Sequence, residues 1–153
     1  MPETSAPQFR RAVIALSGGR TDRTIVSLAA SIAKPAGSEL IGVHVVEIDW
    51  TLPLDADVAG QSESAQRVLD IAEATAETGR YTLEPVLLQA RDVGAAIVDE
   101  ATERDADLII CGLPFRRRFG GDFAIGRTIP YILRNAPCAV WVVREPMAEE
   151  QQQ

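Results

Sequence analysis

LIICGLPFRRRFGGDFAIGRTIPYILRNAPCAVWVVR, residues 108–144, holds the pattern that decides the fold. Two short apolar runs, LIIC at 108–111 and AVWVV at 139–143, stand at its ends, and neither alternates with polar residues. Runs of that length and composition suit strands of a parallel sheet covered on both faces. Between them come a loop rich in glycine and arginine and then an apolar stripe at helical spacing, Ile129, Ile132, Leu133 and Ala136, stopped by Pro137. Strand, loop, helix and strand in that order predict a right-handed crossover.

Working outward, three more runs of the same kind appear: Arg11–Leu16 (RAVIAL), 40–46 (LIGVHVV) and 83–88 (LEPVLL). Helical stripes separate them. Ile25, Leu28, Ala29 and Ile32 repeat behind a candidate Asp22 cap, with Gly37 closing the unit. Ala65, Val68, Leu69, Ala72 and Ala76 follow Ser62 or Ser64 and stop at Gly79, and Asp92 can cap a helix carrying Val93, Ile97 and Ala101. The predicted order is β-α-β-α-β-α-β-α-β. That is an α/β fold, a doubly wound sheet of five parallel strands with four helices.

The chain has 153 residues, within the span of one domain. The organisation expected is a tail over 1–10, one domain over 11–145 and a disordered polar tail over 146–153. With 15 basic against 22 acidic residues the net charge is −7, which repels nucleic acid and anionic membrane surfaces. Any anion site must be local. All the basic residues but Lys34 are arginine, which favours forked contacts. Cys111 and Cys138 form no CxxC pair and read as buried apolar residues, with no metal site. No run approaches the ~20 apolar residues of a membrane span, and the N-terminus carries no targeting signal, so a cytoplasmic protein is expected.

In a doubly wound sheet the ligand crevice lies beyond the strand C-termini. Three loops reach it: SGGRTD (17–22), EIDWTLPLDADVAGQS (47–62) and GLPFRRRFGGDFAI (112–125). The third carries Gly112, Gly120 and Gly121 with Arg116, Arg117 and Arg118, and leads to Gly126, Arg127 and Thr128 at a helix start. Glycines admit close backbone approach, and a helix N-terminus favours an anion. The alternative for this loop is a solvated surface with its arginines paired to carboxylates. His44, the one histidine, sits within an apolar strand and reads as a core residue. The pairs Asp55/Asp57 and Asp105/Asp107 read as solvated turns, and Trp50, Leu52 and Leu54 either cover a ligand or pack on a partner. No nucleophile, base and orienting group assemble, so no catalytic residue is assigned.

Residues 126–144, GRTIPYILRNAPCAVWVVR, resemble the C-terminal block of the universal stress protein family. The likeness extends to AVIALSGG at the first strand, LIGVHVVE at the second, and ARDVGAAIVDEATERDADLIICG across the third helix and fourth strand. The resemblance implies a Rossmann-like domain with strand order 3-2-1-4-5 and a homodimer paired through its last strand, from Ala139 at one end to Val143 at the other. It also implies a ligand, ATP or another adenine nucleotide, with Mg as an optional companion. Carried over, the site residues are Ser17, Gly18, Val43, Gly112, Arg116, Arg117, Gly120, Gly121, Gly126, Arg127 and Thr128. Against the family's ATP pattern G-x2-G-x9-G-[ST], Phe115 replaces the second glycine and Arg127 the hydroxyl residue, while Ser17 replaces the usual Asp. The arginine run is expected to hold phosphate by charge instead. LPFRRRFG and TLPLDA resemble a subgroup associated with amino-acid permeases, which implies a transporter partner. Two other readings stay open: a ligand-free module acting through its dimer surface, and a nucleotide hydrolase. The loop SGGRTD also resembles the pyrophosphate loop of ATP pyrophosphatases.

Overall fold

The computed structural model describes residues 9–57, 60–115 and 125–147. Five strands, β1 (Arg11–Leu16), β2 (Glu39–Glu47), β3 (Glu84–Ala90), β4 (Leu108–Leu113) and β5 (Ala139–Arg144), form one sheet in the order β3-β2-β1-β4-β5. Every neighbouring pair is parallel. Four α-helices connect them: α1 (Thr21–Ala33), α2 (Gln61–Thr78), α3 (Val93–Glu103) and α4 (Thr128–Asn135). The topology and strand order are those the sequence implied.

The pleat divides the apolar runs between two core layers. Ala12, Ile14 and Leu16 of β1 and Leu108 and Ile110 of β4 face α1 and α2, meeting Ile25, Ala29, Leu69 and Ala72. Val13, Val43, Val45, Ile109 and Cys111 face α3 and α4, meeting Ile97, Ala101, Ile129 and Ile132. Central strands are therefore apolar at successive positions, which explains the missing alternation. The edge strands are only half buried: β3 carries Pro85 and β5 exposes one margin of Val140, Trp141, Val142 and Val143.

Several ends differ from the sequence reading. Asp22 does not cap α1, whose N-cap position is Arg20 with no side-chain bond. Helix α2 starts at Gln61, ahead of Ser62 and Ser64, because Gly60 takes a left-handed φ of 82° and its carbonyl accepts from Ser64 N–H. Leu28 and Leu133 are exposed rather than core. Asp92 does cap α3, accepting from Ala95 N–H at 2.9 Å. Phe9, placed by the reading in the N-terminal tail, is buried and meets Trp141 edge to face at 5.8 Å. Residues 148–153 of the predicted C-terminal tail lie outside the described residues.

The start of β1 is held by Asp107, whose carboxylate accepts from the amides of Arg10 (2.9 Å) and Arg11 (3.0 Å). Partial burial opposes ionisation, but the amide bonds outweigh it and hold the carboxyl below its usual range. A carboxyl lowered on folding adds stability above its unfolded pKa and loses it as pH falls through the folded value. Stability is therefore expected to decline below pH ~4, and Asp107→Asn should flatten that decline in urea titrations across pH 2–6.

Candidate functional site

A groove of about 880 Å³ lies at the N-terminal ends of the strands. Both arginines at its rim nearest the sheet are paired: Arg11 with Glu39 at 2.6 Å, and Arg104 with Glu84 and, at 3.0 Å, with Glu100. The opposite edge offers different chemistry. Where β1, β2 and β4 end against α3 and α4, a cleft of about 280 Å³ opens. Its walls are apolar, with Leu16, Val45, Ile97, Cys111, Ile125 and Ile129 among them, and its mouth carries Ser17, His44, Arg127 and Thr128. That volume lies just under the roughly 300–1,000 Å³ usual for small-molecule sites.

Five of the expected residues line the cleft: Ser17, Gly112, Gly126, Arg127 and Thr128. Gly126 has φ 77°, a left-handed value that turns the chain into α4. The helix begins with no side-chain cap, so its first amides point toward the mouth without a side-chain acceptor. Arg127 reaches over this end and pairs with Glu47 at 2.6 Å. Gly112 has a second reason to be glycine: a Cβ there would stand 2.8 Å from Thr21 Oγ1. Arg116, Arg117, Gly120 and Gly121 lie outside the described residues.

Two expected residues are elsewhere. Val43 is fully buried beneath α3 and α4, and the residues of β2 that reach the cleft are His44 and Val45. Val43 and Val45 share one face of the strand, and Val45 reaches the cleft because it stands two residues nearer the C-terminal end. Gly18 lines a separate hollow with Arg20, Arg23 and Val68, turned away by its φ of 88°.

Asp22 explains the first loop. The residue is buried, and its carboxylate turns back toward the sheet rather than along the helix. Ser17 N–H donates to Oδ1 at 3.0 Å, Ser17 Oγ–H to the same oxygen at 3.2 Å, and Gly18 N–H to Oδ2 at 2.8 Å. An internal anion thus holds the amides that a pyrophosphate loop would offer to its substrate, which removes the basis for the pyrophosphatase likeness. Ser17 is engaged too, since its Oγ also accepts from Gly19 N–H at 3.1 Å. Beside it, His44 Nδ1 lies 2.8 Å from Leu16 O. A carbonyl only accepts, so Nδ1 carries the proton and the ring ties the ends of β1 and β2 together. Cys111 faces the cleft wall with its thiol pushed up to about 12 by burial.

A further group ties the end of β5 to the loops after β1 and β4. Glu145, just past β5, accepts from Phe115 N–H at 2.9 Å and pairs with both ends of the Arg20 guanidinium, Nε at 2.8 Å. Arg144 lies 5.0 Å from the centre of the Phe115 ring. The sequence marked Asp22 as a helix cap rather than as an acceptor for its own loop, and it carried no signal for Glu145, whose partners are 30 and 125 residues away.

Sheet order and flanking helices define a small doubly wound α/β domain with an apolar cleft at the C-terminal ends of its strands. The profile of the universal stress protein family matches residues 8–144, and the chain belongs to that family. The sensor protein KdpD of Mycobacterium tuberculosis (strain CDC 1551 / Oshkosh) is 28% identical over 138 residues, covering 90% of this chain. The chain spans only 15% of that relative's length. A universal stress protein from Archaeoglobus fulgidus superposes with a TM-score of 0.74 at 20% identity, covering 89% of this chain and 99% of the other. A universal stress protein from the same organism, solved in complex with dAMP, gives 0.70 at 21% identity, covering 87% and 96%.

Proposed function

We propose that the cleft binds an adenine nucleotide and that the chain is a cytoplasmic regulatory module, signalling occupancy to a second polypeptide such as a transporter. The observation that carries this reading is an uncapped helix N-terminus, with Gly126, Arg127 and Thr128, at the mouth of an apolar cleft of about 280 Å³. The base would lie among Val45, Ile97 and Ile129, and the phosphates would meet the α4 amides and Arg127. A structural relative complexed with dAMP and a sensor protein among the sequence relatives support it. Regulation is favoured over hydrolysis because the Cys111 thiol, raised to about 12 by burial, stays protonated near neutral pH and offers no thiolate nucleophile. No described helix is long and apolar enough to cross a membrane.

Thermal shifts with AMP, ADP, ATP and cyclic AMP test the proposal. A ligand at 100 times its Kd adds about 2.7 kcal/mol, which should raise Tm by roughly 5–10 °C. Replacing Arg116, Arg117, Arg118 and Arg127 with alanine should weaken the best ligand on the order of 10²–10⁴-fold for two lost charged hydrogen bonds, read by calorimetry. A flat panel would favour the second reading, a ligand-free interaction module, to which Arg127 paired with Glu47 and Asp22 seated in the first loop already lend support.

The module is proposed to act as a homodimer through β5, whose outer edge leaves backbone groups unpaired beside half-buried Val140 and Val142. Light scattering should give twice the 16.5 kDa chain mass. Val142→Pro, which deletes a ladder donor, should lower it toward one chain. A single-chain mass for the unaltered protein at micromolar concentration would count against pairing.

A further inference from the structure

The turn after β2 holds an indole out into solvent on a tied frame. Trp50 is 80% exposed, yet its neighbours are fixed. Ile48 is buried and its N–H donates to Ala90 O at 2.8 Å. Asp49 Oδ1 accepts from Thr51 N–H at 2.8 Å and Thr51 Oγ–H at 2.7 Å, and Leu52 N–H closes the turn on Asp49 O at 3.0 Å. Arg91 crosses from the end of β3 and donates to the carbonyls of Ile48 and Asp49. The same guanidinium lies 5.2 Å from the centre of the Trp50 ring, leaving the other face open. Leu52 and Leu54 extend the exposed apolar surface. Stiffness matters here, because an anchor already ordered loses little entropy on docking.

The charge around the turn selects the occupant. No lysine or arginine occurs between Lys34 and Arg67, whereas Glu47, Asp49, Asp55 and Asp57 crowd the turn. Asp49, Asp55 and Asp57 are exposed, and the Thr51 bonds hold the Asp49 carboxyl below its usual range. A second copy would set these acids against their own kind, and nucleic acid or anionic lipid would be repelled. Trp50 does not line the cleft, so in this conformation it covers no ligand there.

We propose that this acid-rimmed turn docks a lysine- and arginine-rich segment of another protein, one cation stacking on the open face of Trp50 and an aliphatic side chain resting on Leu52 and Leu54. The proposal stands whether or not the cleft binds a nucleotide.

The chain has two tryptophans, so Trp141→Phe leaves Trp50 as the one indole reporter. The probe is a decapeptide alternating arginine and leucine, and the control replaces arginine with glutamate. The basic peptide should shift Trp50 emission to the blue and shield it from acrylamide, while the control does neither. By calorimetry on the chain with both tryptophans, Trp50→Ser should weaken the basic peptide about tenfold. Asp55→Asn with Asp57→Asn should weaken it similarly, and so should raising salt from 50 to 500 mM. The exposed indole can be removed without loss of fold, which an unchanged Tm will check. The proposal is overturned if the basic peptide does not bind, or if Trp50→Ser leaves its affinity intact. A blue shift with AMP alone would make the turn a ligand cover, and one on concentrating the protein alone would make it a self-association surface; either result also overturns it.

Discussion

Asp22→Ala is expected to cost about 2–4 kcal/mol, a fall in Tm on the order of 10 °C. The substitution removes an acceptor from two amides and a hydroxyl, and each donor left behind loses a charge-assisted bond in a partly buried loop. Asp22→Asn retains one carbonyl acceptor and should fall between. The vacated loop would also present Ser17 N–H and Gly18 N–H to solvent as a small anion cradle, so inorganic phosphate should recover part of the lost Tm in Asp22→Ala and none in the unaltered protein. Calorimetric melting with and without phosphate reads both effects. A loss below about 1 kcal/mol would mean that water serves these amides as well as the carboxylate does. The same contact bears on Ser17→Asp, a change the family pattern invites: the new carboxylate would face Asp22 across the present 3.2 Å contact, so like charges would offset any gain in ligand affinity.

Gly112→Val should be costlier still than Gly112→Ala, for which about 1–3 kcal/mol is expected. An added Cβ would meet Thr21 Oγ1 at 2.8 Å and Thr21 Cβ at 2.9 Å, and Thr21 is buried at the start of α1 with no room to retreat. Valine's extra methyls enlarge the same clash. Gly126 supplies the contrast, since nothing lies within 4 Å of its missing Cβ and only its φ of 77° resists change. Gly126→Ala should therefore cost about 1 kcal/mol. Urea unfolding of the three variants orders them; if Gly126→Ala proved the more damaging, close packing of β4 on α1 would not be the reason for glycine at 112.

The fold was legible because its signal is redundant. Five apolar runs and four stripes each point to a strand or helix, and a parallel sheet leaves few ways to arrange them. The start of β1 and the Asp92 cap were readable to the residue, since a change from polar to apolar marks one and an Asp three positions before its amide partner marks the other. Depth along a strand was not readable: Ile41, Val43 and Val45 share one face of β2, and only the tertiary arrangement shows that the cleft begins at His44 and Val45. The direction of the Asp22 side chain was beyond reach for another reason. Asp22 looked like a helix cap because caps act locally, and its actual partners sit on the strand side of the loop. The start of α4 beside the cleft was legible, because Gly126 and Pro130 mark a helix beginning in the chain itself.

Glu145 serves three parts of the molecule with one carboxylate: it follows the edge strand, fastens Arg20 of the first loop and holds the amide of Phe115 where β4 leaves the sheet. Mechanically this is a pivot. Were the proposed ligand to displace Phe115, the pull would reach the margin of β5, and a partner straightening β5 would pull on Arg20 and Phe115 together. Linkage then fixes the arithmetic, for whatever factor a partner at the edge applies to ligand affinity, the ligand must apply to the partner.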